Sequence, residues 1–243
     1  IDELGLDEII LNIEPATDEG FRKIRSDVKN TALQFRIFQE TYNRETYSRM
    51  HPKGPKADYD FRRDSQARAA KAGFDNIGLG ALFGLHRFPI EEIENLRLHA
   101  EELERNLSKR PARVCLPSAN ELRNIGVDIP YFIKRGSYNN GRGELIKMGH
   151  YEKFDELLYA LAKLAMPTVS IVSSERDGPA MLRILDKYAT CTTLNVHSGV
   201  GDNANIFCKN GEGKKVHFKQ TTDFPRDPEI TKNEMFKRGF KPK

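Results

Sequence analysis

Between residues 8 and 198, six short runs of β-branched or aromatic residues alternate with longer stretches, several of them amphipathic. The runs are "EIILNIE" (8–14), "LQFRIFQ" (33–39), "NIGLGALFGL" (76–85), "ARVCLP" (112–117), "TVSIVSS" (168–174) and "TTLNVHS" (192–198). Strand followed by helix followed by strand is the pattern of a parallel sheet with right-handed crossovers. Several runs are apolar nearly throughout, which predicts strands covered on both faces. The expected fold class is α/β, a partial TIM-like barrel with about six of the eight usual units.

The intervening segments carry helical spacing. In "PIEEIENLRLHAEELERNL", Ile93, Leu96, Ala100, Leu103 and Leu107 recur at intervals of three and four behind Pro89 and an acidic first turn. Phe154, Leu157, Leu158, Leu161 and Ala165 do the same in "YEKFDELLYALAKLA", and 64–72 and 179–188 are shorter candidates. Two connections, 40–61 and 118–150, are long, and connections of that length are functional or disordered. Residues 1–200 are expected to form the barrel, and 201–243 a C-terminal extension of the same domain with a hairpin and a short helix.

The 243 residues suit one such domain, and 38% hydrophobic with 30% charged residues indicates a globular chain. A net charge of +4 is too weak a bias to argue for nucleic acid. No segment reaches membrane-spanning length; the best, "LLYALAKLAM", is short and carries Lys163. Cys115, Cys191 and Cys208 include no close pair, so a reducing, cytoplasmic setting is expected. Ile1 stands where a start methionine would, so the reading frame is expected to extend upstream.

In α/β barrels, sites gather at the C-terminal ends of the strands. Those ends are Glu14, Gln39–Tyr42, Gly84–His86, Pro117–Asn120, Ser173–Arg176 and Asn195–Gly201, all polar in character. The glycines of "GLGALFGL" mark either tight strand packing or the close approach of a ligand. Arg176 could fork a carboxylate, or could be a surface arginine paired with Glu175 or Asp177. The histidines are scattered without metal-ligand spacing, and only His86 and His197 sit at strand ends. No metal ligands are assigned in this chain.

"FQETYNRETYSRMHPKGPKADYDFR", "AGFDNIGLGALFGLH", "VSSERDGPAMLR" and "TTLNVHSGVGDN" follow one another in an order that resembles the radical S-adenosylmethionine aromatic amino-acid lyases. That family comprises tyrosine lyases of thiamine synthesis and of [FeFe]-hydrogenase maturation, and a tryptophan lyase. The resemblance runs from about residue 8 to 240.

It implies S-adenosylmethionine, a [4Fe-4S] cluster and a 5′-deoxyadenosyl radical that cleaves an amino acid, by a lyase-type break between Cα and Cβ. The implied partners are a small amino-acid substrate and an electron donor such as ferredoxin or flavodoxin. By the same resemblance, Gln39, Glu40, Thr41 and Tyr42 contact the ribose and amino group of S-adenosylmethionine. Arg62 pairs with its methionyl carboxylate, and the strand with Leu82, Gly84 and Leu85 lines the adenine. Arg176 anchors the substrate carboxylate between Ser173 and Ser174.

The family's C-x-x-x-C-x-x-C cluster motif does not occur here, so its ligands are expected in an N-terminal part or on a separate chain that supplies the first barrel strands. Two alternatives remain at this level. One is a barrel scaffold or binding module without catalysis; the other is a cofactor-maturation or methylation enzyme on the same frame.

Overall fold

The computed structural model describes residues 5–117, 151–173, 184–185, 187–192 and 228–240, with further short strands at 133–134, 137–139, 145–146, 207–209 and 215–217. Six parallel strands, β1 (Glu8–Leu11), β2 (Ala32–Arg36), β3 (Asn76–Gly80), β4 (Arg113–Cys115), β8 (Ser170–Ser173) and β9 (Cys191–Thr192), form one sheet in chain order. Each lies within or next to one of the six runs expected to be strands. The connecting helices are α1 (Asp18–Asp27), α2 (Arg44–Met50), α3 (Tyr59–Arg63), α4 (Ser65–Lys71), α5 (Pro89–Leu107) and α6 (Tyr151–Ala165). The strands form a half-barrel of TIM-like α/β type.

The segment between β4 and α6 holds a three-stranded antiparallel sheet of β5 (Ile133–Lys134), β6 (Ser137–Asn139) and β7 (Leu145–Ile146). The C-terminal part holds the hairpin of β10 (Phe207–Lys209) and β11 (Lys215–His217), then α7 (Pro228–Lys237). Met235 of α7 is buried in the main core.

Register divides the sheet into two unlike faces. Arg36 pairs with Gly78, Gly78 with Arg113 and Arg113 with Ser170, while Gln34 pairs with Asn76. Side chains alternate along a strand, so these polar and glycine positions share one face. Leu33, Phe35, Ile77, Leu79, Val114 and Ile171 occupy the other and are fully buried. Gln34, Gly78, Gly80 and Cys115 on that face are buried as well, so the strands are covered on both faces as expected, with polar residues among the cover on one of them. The helices pack on the apolar side, and the inner face is polar, as in a strand that alternates rather than one that is uniformly apolar.

On the helical side, Phe21 of α1, Phe35 of β2 and Phe74 meet edge to face, with ring centroids 4.8 Å, 5.5 Å and 6.4 Å apart. Such pairs contribute about 0.5–1.5 kcal/mol beyond the area they bury. A second cluster joins Ile93, Leu96, Ala100 and Leu103 of α5 to β3, β4 and Leu158, Tyr159 and Ala162 of α6.

The long 40–61 connection is ordered by two short helices. Asn43 caps α2 by accepting from Thr46 N at 2.8 Å, and Asp58 caps α3 by accepting from Phe61 N at 2.8 Å. Capping satisfies backbone donors that a short helix would otherwise leave open.

Candidate functional site

Just past the end of β2 the chain turns sharply at Glu40, whose φ of 71° lies in the left-handed region. A non-glycine residue persists there only when its surroundings fix it. Gln39 N donates to Gly80 O at 2.9 Å and Leu82 N donates to Glu40 O at 2.8 Å, which ties the turn to the end of β3. The buried Glu40 carboxylate takes two cations on Oε1: Lys56 Nζ at 2.6 Å and Arg62 Nη2 at 3.0 Å.

Arg62 is buried, and its guanidinium is shared three ways. Besides Glu40, Nε donates to Phe38 O at 2.7 Å and Nη1 to Glu14 Oε2 at 2.8 Å. Two strand-end residues from the sequence reading, Glu14 and Glu40, thus meet Arg62 of α3 in one charge cluster. Arg62 grips the protein's own carboxylates in this structure; Glu14, half exposed, is the partner nearest to water.

Thr41 and Tyr42 are fixed from the other side. Glu92, in the first turn of α5, accepts from the Thr41 hydroxyl and from Tyr42 N, the latter at 2.9 Å. The Tyr42 hydroxyl meets His99 Nδ1 at 2.8 Å. Burial raises the Glu92 carboxyl above its ordinary range, partly offset by its two hydrogen bonds. Burial pushes His99 down to about 3, assisted by Arg63, and raises the Tyr42 hydroxyl well above its usual value.

Sequence reasoning missed Glu92, His99 and Lys56. The first two had a signal: Glu92, Leu96, His99 and Leu103 fall at spacings of four, three and four, on the buried stripe of α5. Lys56 had none, since one lysine in a charged loop resembles another.

Gln39 is almost wholly buried, and its Nε2 has no hydrogen-bond partner among the described residues. A buried amide donor without an acceptor costs about 1–3 kcal/mol, and this group next to the Glu40 turn could be satisfied by an acceptor on a ligand. Leu82, Gly84 and Leu85 lie in the turn after β3 rather than in a strand, a correction to their expected setting. β3 ends at Gly80, and Gly84, at φ 107°, lies in the turn that follows. His86, at this turn, meets Glu91 Oε2 at 3.0 Å.

Ser173, the last residue of β8, is buried and in phase with Ile171, so its register is that of the helix-facing side. Ser174, Arg176, His197 and the 195–201 loop lie outside the described residues.

The residues near the Glu40 turn fit a small ligand that offers both a donor, for Glu40, and an acceptor, for Gln39. They do not fit an iron–sulfur cluster. Among the described residues no group of three or more His, Cys, Asp or Glu is disposed to hold a metal, and no C-x-x-x-C-x-x-C exists in the sequence. Among the described residues no helix is long and apolar enough to cross a membrane.

No family model matches the chain. A stretch of 49 residues, 20% of this chain and 13% of the relative, is 51% identical to 2-iminoacetate synthase of Escherichia coli (strain K12). Another of 75 residues, 31% of this chain and 19% of the relative, is 33% identical to 2-iminoacetate synthase of Salmonella typhimurium (strain LT2).

In structure, 97% of the chain matches 48% of the [FeFe]-hydrogenase maturase HydG from Carboxydothermus hydrogenoformans, with a TM-score of 0.70 and 22% identity. A second HydG structure, described as a maturase of the [FeFe]-hydrogenase, matches over 97% of this chain and 45% of its own, with a TM-score of 0.74 and 25% identity. The chain thus spans less than half of the solved structures, and the matched stretches cover less than a fifth of the curated relatives. In sequence over those stretches and in fold along nearly all of its length, the chain is a relative of the radical S-adenosylmethionine aromatic amino-acid lyases.

Proposed function

We propose that this chain carries the nucleoside-gripping and substrate-facing part of a radical S-adenosylmethionine lyase that cleaves an amino acid between Cα and Cβ. The observation that carries the reading is the Glu40 turn. A strained acidic residue, held by Arg62 and Lys56 beside an unpartnered Gln39 amide, stands at the C-terminal end of a parallel sheet. When bound, S-adenosylmethionine together with a [4Fe-4S] cluster and an electron donor of the ferredoxin or flavodoxin type supplies the radical chemistry.

The chain's own residues do the holding. Glu40 offers a carboxylate to the ligand's amino or ribose donors, and Gln39 Nε2 offers an N–H to an acceptor. Thr41 and Tyr42, locked on Glu92, set the turn's shape, and the turn bearing Leu82, Gly84 and Leu85 contributes an apolar wall for the adenine. Arg62 holds Glu40 in place, and its bond to Glu14 is the one an incoming carboxylate could replace. Ser174 and Arg176 are assigned to the substrate, with Arg176 on its α-carboxylate, while Ser173 faces the helices.

Calorimetric titration of S-adenosylmethionine into the cluster-loaded protein, with whatever polypeptide supplies the cluster ligands, tests the reading. A hydrogen bond to a charged group contributes about 1.5–3 kcal/mol, so Glu40→Gln should weaken binding by roughly ten- to a hundredfold. Undiminished affinity in Glu40→Gln would remove the site assignment. Absence of binding by the wild type would favour the non-catalytic scaffold.

A further inference from the structure

The carboxylate of Glu40 is held unevenly. Lys56 Nζ at 2.6 Å and Arg62 Nη2 at 3.0 Å both meet Oε1, and among the described residues no donor meets Oε2. Oε2 is not sealed in the interior either, although the Glu40 side chain is only 9% exposed. One oxygen is therefore taken by the protein, and the other is open to a ligand.

Arg62 alone cannot fix this arrangement. Its guanidinium is spread over Phe38 O, Glu14 and Glu40, so a single N–H reaches the Glu40 carboxylate. The last torsion of a glutamate side chain is broad and roughly two-fold, and one bond to one oxygen leaves it room to turn. A second cation on the same oxygen removes that freedom.

Lys56 can supply the second bond because its backbone is anchored. The loop 51–57 is mostly exposed and turns at Gly54, whose φ is 88°, with Ala57 N donating to Gly54 O at 3.0 Å. Tyr47 of α2, fully buried, donates its hydroxyl to Lys56 O at 2.6 Å. The Tyr47 ring lies edge-on to Tyr59 with centroids 5.1 Å apart, and the Tyr59 hydroxyl donates to Tyr42 O at 3.1 Å. Burial pushes the Tyr47 hydroxyl up to about 12, so it stays protonated and keeps donating at neutral pH. An exposed loop thus brings one ammonium to a buried carboxylate at a fixed point.

We propose that Lys56 is a positioning residue for ligand binding, which pins Glu40 Oε1 so that Oε2 faces a hydrogen-bond donor of the ligand. Lys56 touches no ligand and acts only through Glu40. The proposal rests on the S-adenosylmethionine reading and adds the residue that turns a buried ion cluster into a directed acceptor.

The test is a double-mutant cycle over the wild type, Lys56→Met, Glu40→Gln and the double variant. Its readout is calorimetric titration of S-adenosylmethionine into the cluster-loaded protein, with whatever polypeptide supplies the cluster ligands. Lys56→Met should bind roughly three- to tenfold more weakly than wild type, the range for a side chain left to be ordered on binding. In the Glu40→Gln background the same change should bring no further loss. There an amide held by its oxygen presents N–H groups where the ligand needs an acceptor, so freeing it costs nothing. Lys56→Arg, which keeps a cation on the loop, should recover most of the affinity.

An equal loss in both backgrounds would mean that Lys56 meets the ligand itself, and overturns the proposal. Tighter binding by Lys56→Met would mean that Lys56 competes with the ligand for Glu40, and overturns it too. Either result leaves the S-adenosylmethionine reading intact. A wild type that does not bind, or a Glu40→Gln variant that binds as well as wild type, removes that reading and the proposal with it. Should Lys56→Met fail to fold, Tyr47→Phe removes only the hydroxyl that anchors the Lys56 backbone. It should weaken binding by a smaller factor, again only where Glu40 is present, and unchanged affinity would overturn the proposal.

Discussion

Arg62 donates to Glu40 Oε1 at 3.0 Å across 22 residues of chain, and both side chains are buried. The pair joins the turn after β2 to α3, so the long connection between them is closed as a loop with both ends fixed. Removing one member of a buried ion pair costs about 3–5 kcal/mol, because the other charge stays in the interior. Glu40 keeps Lys56, which softens the loss.

Arg62→Ala is therefore expected to lower unfolding stability by about 3 kcal/mol, at the low end of that range. It should weaken S-adenosylmethionine binding as a consequence of the displaced turn. Urea unfolding followed by circular dichroism measures the first effect. Wild-type stability in Arg62→Ala would show that the three bonds to Glu14, Glu40 and Phe38 hold nothing in place.

Glu92 ties stability to pH. Burial raises its folded-state pKa above the unfolded value, so its protonated form suits the fold. The contribution is fully present below the unfolded pKa and is lost as pH rises through the raised folded value. Glu92→Gln cannot titrate, so its stability relative to wild type should improve between pH 4 and pH 7. Denaturant midpoints of both proteins at the two pH values decide the matter; a constant difference would mean that Glu92 does not titrate differently on folding.

His99 acts in the other direction. Burial holds its folded-state pKa near 3, below the ordinary imidazole value, so the neutral ring suits the fold. Its contribution is present above about pH 6.5 and is lost as pH falls from there toward 3. His99→Gln should flatten the acid side of the stability profile while costing about 1 kcal/mol at neutral pH through the altered bond to Tyr42. An unchanged acid limb would show that another group sets acid sensitivity.

Gly80→Ala tests the close approach on the inner face. The new methyl would lie 2.3 Å from Phe38 Cδ1 and 2.8 Å from Cys115 O, the latter a backbone atom that cannot easily yield. Overpacking of this kind costs about 1–3 kcal/mol. Thermal unfolding of Gly80→Ala should show a clear drop. A variant as stable as wild type would mean that the Phe38 ring rotates away freely.

The strands and long helices were legible because their apolar periodicity follows from burial against the sheet. Leu33 and Phe35, then Ile93, Leu96 and Leu103, are core residues at the spacing their elements demand. The split of the sheet into unlike faces was also written there, in the alternation of "LQFR", but was obscured where neighbouring glycines and cysteines read as apolar. Gln39–Tyr42 and Arg62 were named from resemblance, and the structure brings their side chains into one region.

What could not be read was which carboxylate each cation would meet. Arg62 finds Glu14 and Glu40, and Thr41 finds Glu92, over separations of 22 to 51 residues. Charge pairing over such distances depends on how the elements dock, not on local pattern.

The alternation of faces also divides the strands by what a substitution can change. In β2, Leu33 and Phe35 pack against the helices behind them, while Gln34 and Arg36 lie on the opposite face, bonded to Arg113 and Cys115. A saturation library over these four neighbouring codons should therefore sort into two populations. Changes at the first pair would alter how much protein survives, and changes at the second would leave the helix-facing core in place. The inner face can thus change through alternate codons without first finding a new core.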